Sequence, residues 1–428
     1  MRALFKQNLD QIMSQWCRFP LFGPVFKFWA PRRNWEVRNE RSAKLRVLIV
    51  NLYPSLGDAI WVMPTIEVLK EAIPGVDVTW LADSRVAALA RAHPDVDRVL
   101  SVHTPRHFLQ RLPIVRNYYR LYTILHEVKE LSLRDRFDIA IVPHGRVDTD
   151  FSAHAAWMMN VPRTIGYSYQ LERNYLHHYG DVLLTEVVRE APTMHEAERS
   201  LHLLQASGLV LDSSDRWNKD KPIHGLRVIA EAVDYELLMK KVQMGGSIPF
   251  LVVSPGAGEP RRMWPAEKFR ALCARILEQS TVYVVLTGTQ REEPLAALVK
   301  EGLGERVINC AGKLNLFELT ALISHAIGFV GNDSGTGHLA GLLAIPTVSL
   351  HVQPKNCDTK YLHLAEKCRP VGPNVTLLQP DTCLPPCEGY CDSQTLHCLD
   401  QIIVDQVWAI VKRILSDANL LRSASDRR

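Results

Sequence analysis

The sequence predicts an α/β protein built from two doubly wound halves, each a parallel sheet covered by helices on both faces. Three observations carry that expectation. Short β-branched runs alternate with segments of helical spacing along most of the chain. The alternation comes in two series, separated by a polar stretch rich in chain breakers that ends at Gly225. A length of 428 residues exceeds what one core organises, and a 47% hydrophobic content supplies apolar side chains for two.

Residues 1–43 form a basic, aromatic N-terminal extension. Trp16, Phe19, Phe22, Phe26, Phe28 and Trp29 are interleaved with Arg18, Lys27, Arg32 and Arg33. That composition suits an anionic membrane surface, although its prolines break any long amphipathic helix. The alternative is an extension that packs on the body.

The first half, 44–208, opens with a strand over Lys44 to Leu52, because KLRVLIVNL is a short β-branched run followed at once by turn residues. Tyr53 to Asp58 is a tight loop, and Ala59 to Ala72 carries apolar residues at helical spacing. Further strands are expected at Val76 to Leu81, Val96 to Val102 and Phe137 to Val142. Between the last two lies His103 to Arg136, with seven Lys/Arg, three Asp/Glu and three His. It reads either as a basic face toward an acidic acceptor or as a solvated helical hairpin. Helices over Asp148 to Asn160 and His195 to Ser207 complete this half.

A linker at 209–225 precedes the second half, 226–428. Its strands are expected at Phe250 to Ser254, Val282 to Thr287, Val307 to Asn309, Ile327 to Gly331 and Thr347 to Leu350. A final helix runs from about Asp400 to Leu415. Ligands of doubly wound sheets sit beyond the carboxyl ends of the strands, so the expected active site is a cleft between facing halves.

Charge and composition narrow the classes. The net charge of +4 is local, since residues 1–44 hold nine Lys/Arg against three Asp/Glu. No nucleic-acid partner is expected from it. No window offers the roughly 18 uninterrupted apolar residues of a membrane span, and the N-terminus lacks the pattern of a signal peptide. Nine cysteines without an export signal point to a reducing cytoplasm. There is no Ser-His-Asp arrangement and no HExxH, so hydrolase readings find little support.

Three loops of the second half follow strands and therefore share one sheet edge. Phe329 to Gly341, FVGNDSGTGHLAG, reads as a strand ending in a helix N-terminus. Asp333 or Ser334 can cap that helix, and Gly335 and Gly337 let a ligand approach the backbone, a setting suited to phosphate. Ser254 to Pro265, SPGAGEPRRMWP, gives a Gly-rich turn, two arginines able to grip a diphosphate, and a helix start with Pro265 in its first turn. Leu286 to Thr289 offers a close backbone approach at Gly288, and Glu292 an acidic group for ribose or base donors. His338 completes the third loop. Each feature has a plain structural alternative: a turn glycine, a helix cap, a packed histidine. Gly335 to Ala340 also fits GxGxxG/A, a weak dinucleotide fingerprint; the following strand ends at His351 where a nicotinamide enzyme would place an acid.

In the first half, Asp58 follows Gly57 at a helix start on a strand's carboxyl edge. It can accept a proton from an attacking hydroxyl or serve as a helix N-cap. Cys383, Cys387, Cys391 and Cys398 are spaced densely enough to surround a structural zinc or iron ion, with buried thiols and disulfides as the alternatives.

With these residues in place, the sequence resembles the heptosyltransferases of lipopolysaccharide synthesis, glycosyltransferase family 9. The resemblance runs from about Lys44 to Ile414 and rests on SLGD (Ser55 to Asp58), SPGAGEPRRMWP, LTGTQREE (Leu286 to Glu293) and NDSGTGHLA (Asn332 to Ala340). It implies a GT-B fold, two Rossmann-like domains facing across a cleft, and inverting transfer from an ADP-sugar without a catalytic metal. It implies that Asp58 is the general base. Ala257 and Gly258 match a phosphate-loop pair, Glu292 a nucleoside-directed acid, and Asp333, Ser334, Gly335 and His338 the donor-binding helix start. Arg262 stands where members commonly carry Lys, a change that matters for a bidentate contact.

The implied activity is heptosyl transfer from ADP-heptose to a lipid-linked envelope glycan by a cytoplasmic enzyme, peripheral on the inner membrane. Its rivals are a nicotinamide-dependent oxidoreductase using the Gly335 fingerprint and a non-catalytic nucleotide-sugar-binding protein. The N-terminal extension, the long His103 to Arg136 segment and the cysteine cluster depart from the family pattern. They bear on the acceptor more than on the donor.

Overall fold

The computed structural model describes residues 44–104, 113–143, 151–167, 183–188, 194–245, 248–357 and 364–421. The N-terminal extension lies outside them. The chain divides into two compact units at Trp217/Asn218.

The first unit is a six-stranded parallel sheet in the order β3-β2-β1-β4-β5-β6. Its strands are β1 (Arg46–Asn51), β2 (Asp77–Asp83), β3 (Arg98–Val102), β4 (Ile139–Val142), β5 (Arg163–Tyr167) and β6 (Glu186–Val188). Every inner strand is buried on both faces, which accounts for unbroken runs such as VLIV rather than alternation. On one face Leu48, Val50 and Leu52 pack against Leu121, Ile124, Leu125 and Val128 of α4 (Pro113–Ser132) and Ala153, Ala155 and Ala156 of α5 (Ser152–Met158).

Two expectations in this unit need correcting. The single helix expected at Ala59 to Ala72 is two, α1 (Leu56–Ile60) and α2 (Met63–Ala72). Pro64 lies in the first turn of α2, where a missing N–H does no harm, and so marks a start rather than a helix interior. The described part of His103 to Arg136 is one long helix, α4, not a hairpin. Its apolar face is buried in the core, and Tyr119 and Tyr122 are exposed.

The helix α3 (Ala87–Ala92) joins β2 to β3. The segment after β6 forms α6 (Glu196–Ala206) and the short α7 (Ser213–Arg216).

The second unit repeats the same topology, with order β12-β11-β10-β7-β8-β9. After α8 (His224–Glu231) and α9 (Tyr235–Lys241), its elements alternate as follows: β7 (Phe250–Ser254), α10 (Ala266–Gln279), β8 (Tyr283–Leu286), α11 (Glu293–Lys300), β9 (Val307–Asn309), α12 (Leu316–Ser324), β10 (Gly328–Asn332), α13 (Gly335–Leu342), β11 (Thr347–Leu350), α14 (Ala365–Cys368), β12 (Val375–Leu378) and α15 (Val404–Asp417). Pro265 occupies the N-cap of α10 rather than its first turn. In both units the chain winds outward on one side of a central strand and then returns to its other side. The switch points fall at β1/β4 and β7/β10, where the carboxyl ends of adjacent strands diverge and leave room for a ligand.

The seat of α13 is set by backbone contact. A Cβ added at Gly341 would lie 2.6 Å from the Val371 carbonyl oxygen, and one at Gly372 would overlap the Gly341 carbonyl oxygen. An ordinary helical glycine gains about 1 kcal/mol on becoming alanine. Here the sign should reverse: Gly341→Ala is expected to destabilise by about 1–3 kcal/mol through overpacking, read as a lowered midpoint in denaturant unfolding. An unchanged or raised midpoint would show that α13 can slide.

Candidate active site

The β7/β10 switch point is assembled around Asn332, the last residue of β10 and fully buried. Its side-chain carbonyl accepts from the Trp264 N–H at 3.0 Å, and its amide donates to the carbonyls of Pro255 at 2.8 Å and Gly256 at 3.4 Å. One side chain thus satisfies both ends of the loop that follows β7. Beside it the hydroxyls of Ser254, Thr336 and Ser334 form a chain, at 3.1 and 2.9 Å. Ser334 sits at the N-cap position of α13, but its side chain makes no capping bond. The first N–H groups of that helix therefore receive no side-chain cap.

Asp333 is buried and surrounded by cationic or potentially cationic groups. Arg262 Nη1 donates to Oδ2 at 3.2 Å, His351 Nε2 lies 3.3 Å from the same oxygen, and His338 Nε2 stands 4.0 Å from Oδ1. His351 Nε2 is close to the carboxylate without the alignment of a hydrogen bond. Burial would raise the Asp333 carboxyl, but His351, Arg262 and His338 together hold it well below the usual carboxylate range. Asp333 does not cap α13. It is a fixed buried anion, while Glu259, 3.7 Å from Arg262, is a partly exposed one.

On the neighbouring edge, Glu292 Oε2 accepts from the Thr289 N–H at 2.7 Å and hydroxyl at 2.9 Å, a reciprocal helix-start contact. Its other oxygen projects over Gly256, where any Cβ would overlap it. Gly256 is thus a glycine because Glu292 occupies the space, although its φ is ordinary. A Cβ at Gly288 would lie 3.1 Å from Glu292 Cβ, whereas one at Gly258 would meet nothing within 4 Å. Ala257 is buried and Gly258 exposed, so the open end of this loop is at 258.

In the first unit Asp58 lies in the first turn of α1, three residues inside the cap. The N-cap is Ser55, whose hydroxyl accepts from the Asp58 N–H at 3.2 Å and donates to the Asp58 carboxylate. Asn51, at the end of β1, donates to the Asp58 carbonyl at 3.0 Å and accepts from the Tyr53 N–H at 3.2 Å. An asparagine thus braces the switch-point loop in each unit, from the preceding strand in the first and from the neighbouring strand in the second. At the next strand end, buried Asp83 accepts from Arg85 Nε at 2.7 Å and Nη2 at 2.8 Å.

The cysteines form a different group from the one expected. The ligand atoms of Cys387, Cys391, His397 and Cys398 lie within 4.8 Å of one another. Cys383 is outside that group; His397, beside Cys398 in sequence, takes its place. A search for cysteine spacing alone passes over a histidine. Asn332 and His351 were likewise missed as site residues, since the first reads as a turn residue and the second as a strand terminus.

Two successive doubly wound units of identical strand order are the architecture of the GT-B fold. Within that class the chain belongs to glycosyltransferase family 9 (heptosyltransferase), whose family model matches residues 128–390. It is 24% identical to lipopolysaccharide heptosyltransferase 1 of Pseudomonas aeruginosa over 319 residues, covering 72% of this chain and 78% of that one. It is 24% identical to lipooligosaccharide heptosyltransferase 2 of Haemophilus influenzae over 316 residues, covering 72% and 83%. The fold is shared with a solved family 9 glycosyltransferase from Veillonella parvula (TM-score 0.65, 20% identity, 87% of this chain and 98% of that one). It is also shared with the E. coli heptosyltransferase WaaC with ADP (TM-score 0.64, 19% identity, 86% and 100%). Membership in this family does not favour the nicotinamide reading of the Gly335 fingerprint.

Replacing Asp333 by Asn keeps its shape and removes its charge. Breaking such a buried ion pair typically costs roughly 3–5 kcal/mol. A depressed carboxyl contributes stability that is fully present above its unfolded value of 3.8 and is lost as pH falls through the lower folded value. The difference between wild type and Asp333→Asn in urea unfolding should hold from neutral pH down to about pH 5 and shrink below about pH 4. A difference independent of pH throughout would remove the charge from the explanation.

Proposed function

We propose that this protein is an inverting glycosyltransferase that moves heptose from ADP-heptose to a lipopolysaccharide inner core or a related envelope glycan. The observation that carries the reading is the buried Asp333 with Arg262, His338 and His351 at the uncapped start of α13, on the carboxyl edge of a family 9 fold. The solved relatives support the donor: E. coli heptosyltransferase WaaC has been solved with ADP and with ADP-2-deoxy-2-fluoro heptose. The named relatives support the acceptor class.

In this reading the half-buried Arg262 guanidinium is held in place by Asp333 and Glu259 until a diphosphate arrives. Its remaining N–H groups, with the first N–H groups of α13, then meet the diphosphate. Ser334, Gly335 and Thr336 line the approach, Ala257 and Gly258 pass beside the phosphates, and Gly288 and Glu292 receive the nucleoside. His338 faces the sugar side of Asp333. Asp58 takes the proton of the acceptor hydroxyl as that oxygen attacks the anomeric carbon, and the bond to the β-phosphate oxygen breaks on the opposite face. The negative charge gathering on ADP is stabilised by Arg262 and the helix N-terminus, with no metal assigned to the step.

Among the described residues no helix is long and apolar enough to cross a membrane. A peripheral position on the cytoplasmic face, with residues 1–43 as the contact, fits an acceptor built on lipid.

Asp58→Ala should abolish transfer while leaving ADP affinity within about twofold, since removing a general base alone typically removes 10²–10⁴ in rate. Equal loss of ADP binding, measured by calorimetry, would reduce Asp58 to a brace for its loop. Arg262→Ala should weaken ADP binding by about tenfold or more, the worth of a hydrogen bond to a charged group. Unchanged affinity would take Arg262 out of the diphosphate site, and tighter binding of NAD than of ADP-sugars would sink the whole reading.

A further inference from the structure

We propose that Cys387, Cys391, Cys398 and the Nδ1 nitrogen of His397 form a tetrahedral zinc site that fastens the C-terminal segment of the second unit to its diphosphate loop. Three independent features of the group lead there.

The first is spacing in three dimensions. In a tetrahedral site with Zn–S of about 2.3 Å and Zn–N of about 2.0 Å, neighbouring donors stand about 3.5–3.8 Å apart. Cys387 Sγ and Cys391 Sγ are 4.0 Å apart, Cys387 Sγ and His397 Nδ1 3.4 Å, and His397 Nδ1 and Cys398 Sγ 3.3 Å. These are edges of such a tetrahedron and too long for a disulfide, whose sulfurs would be about 2.05 Å apart.

The second is the orientation of the imidazole. His397 Nε2 lies 3.2 Å from the Pro385 carbonyl oxygen. A carbonyl can only accept, so Nε2 carries a proton and Nδ1 is the nitrogen turned toward the thiols. A metal-bound histidine is typically held in this way, with its second nitrogen donating to a carbonyl. The Leu384 N–H points at Cys398 Sγ at 3.4 Å and fixes the position of that sulfur.

The third is what the group is tied to. The Cys391 N–H donates to Gln353 Oε1 at 2.9 Å, and its carbonyl accepts from Gln353 Nε2 at 3.2 Å and from Arg261 Nη1 at 2.9 Å. Gln353 lies two residues beyond His351, and Arg261 adjoins Arg262. On the other side of the group, the Trp264 indole N–H donates to the Ile402 carbonyl at 2.9 Å. The residues 383–402 contribute little regular structure, and among them only the short turn Cys398–Gln401 is helical. A bound ion supplies the cross-link that this segment otherwise obtains from few backbone bonds.

Binding forms three Zn–S bonds and one Zn–N bond and releases the three thiol protons to solvent, so no oxidant or reductant is involved. Soft thiolates with one imidazole in tetrahedral array select zinc over magnesium, calcium or manganese.

The test begins with the full-length protein purified without added metal. Elemental analysis should find one zinc per chain, and exchange with cobalt(II) should give the visible absorption of a tetrahedral site with thiolate ligands. Chelation of the wild-type protein should lower its unfolding midpoint, and zinc alone should restore it. Cys383→Ser should keep full zinc, while His397→Ala and Cys398→Ser should each lose most of it. If those two variants fail to fold, the zinc content and cobalt spectrum of the wild type still decide. Absence of stoichiometric metal, iron in place of zinc, a Cys387–Cys391 disulfide by mass spectrometry, or loss of zinc in Cys383→Ser with retention in His397→Ala would each overturn the assignment.

Discussion

The arrangement of the second unit depends on placing a full negative charge, Asp333, in a setting that excludes water. A carboxylate there is tolerated only if cations are delivered to it. Arg262 after β7 supplies one, and the imidazoles of His338 inside α13 and His351 after β11 lie beside it, so three separate stretches of chain meet at the carboxylate. The charge therefore fixes the relative positions of three loops at the carboxyl edge. Its partner residue, Asn332, does the same with hydrogen bonds, holding the Pro255 to Trp264 loop at both ends. Loops fixed around a helix start that has no side-chain cap hold their N–H donors oriented in advance, as the proposed diphosphate contact needs.

Much of the fold was legible in the sequence. Strands buried on both faces announce themselves as short unbroken apolar runs, and β7, β9 and β11 fall on the expected residues. The strands that escaped notice, β5, β6 and β12, lie away from the sheet centres. There a strand is RTIGY, EVV or VTLL, too short or too polar for a periodic signal to rise above turns. The break between α1 and α2 was hidden because apolar spacing continues across it, and only Pro64 marks it. For α4, the sequence showed charge and aromatic residues but not that its apolar face completes a core.

The site was legible where chemistry leaves a local pattern and illegible where it depends on distant pairing. Glycine-rich turns after strands, paired arginines and an Asp at a helix start are visible in a line of text. That Asp333 is a compensated buried ion rather than a cap follows from partners distant in sequence, Arg262 seventy-one positions before it and His351 eighteen positions on. The thiol group gives the same lesson from the other side: regular cysteine spacing drew attention to Cys383, while packing selected His397. The resemblance to family 9 located the motifs but said nothing of either histidine's neighbour.

The contact between Glu292 and Gly256 has a bearing on how the family's sequences can vary. Position 256 is restricted because another residue's side chain fills the volume where its own would begin; its backbone dihedrals impose no such limit. Constraints of that kind are exchangeable. A shorter acid at 292 would vacate the volume and admit a side chain at 256, so the two positions should drift together among descendants, each tolerating change only in the company of the other. Pairwise covariation of this sort, between a loop after one strand and a turn after its neighbour, would record in sequence a proximity that neither residue signals alone.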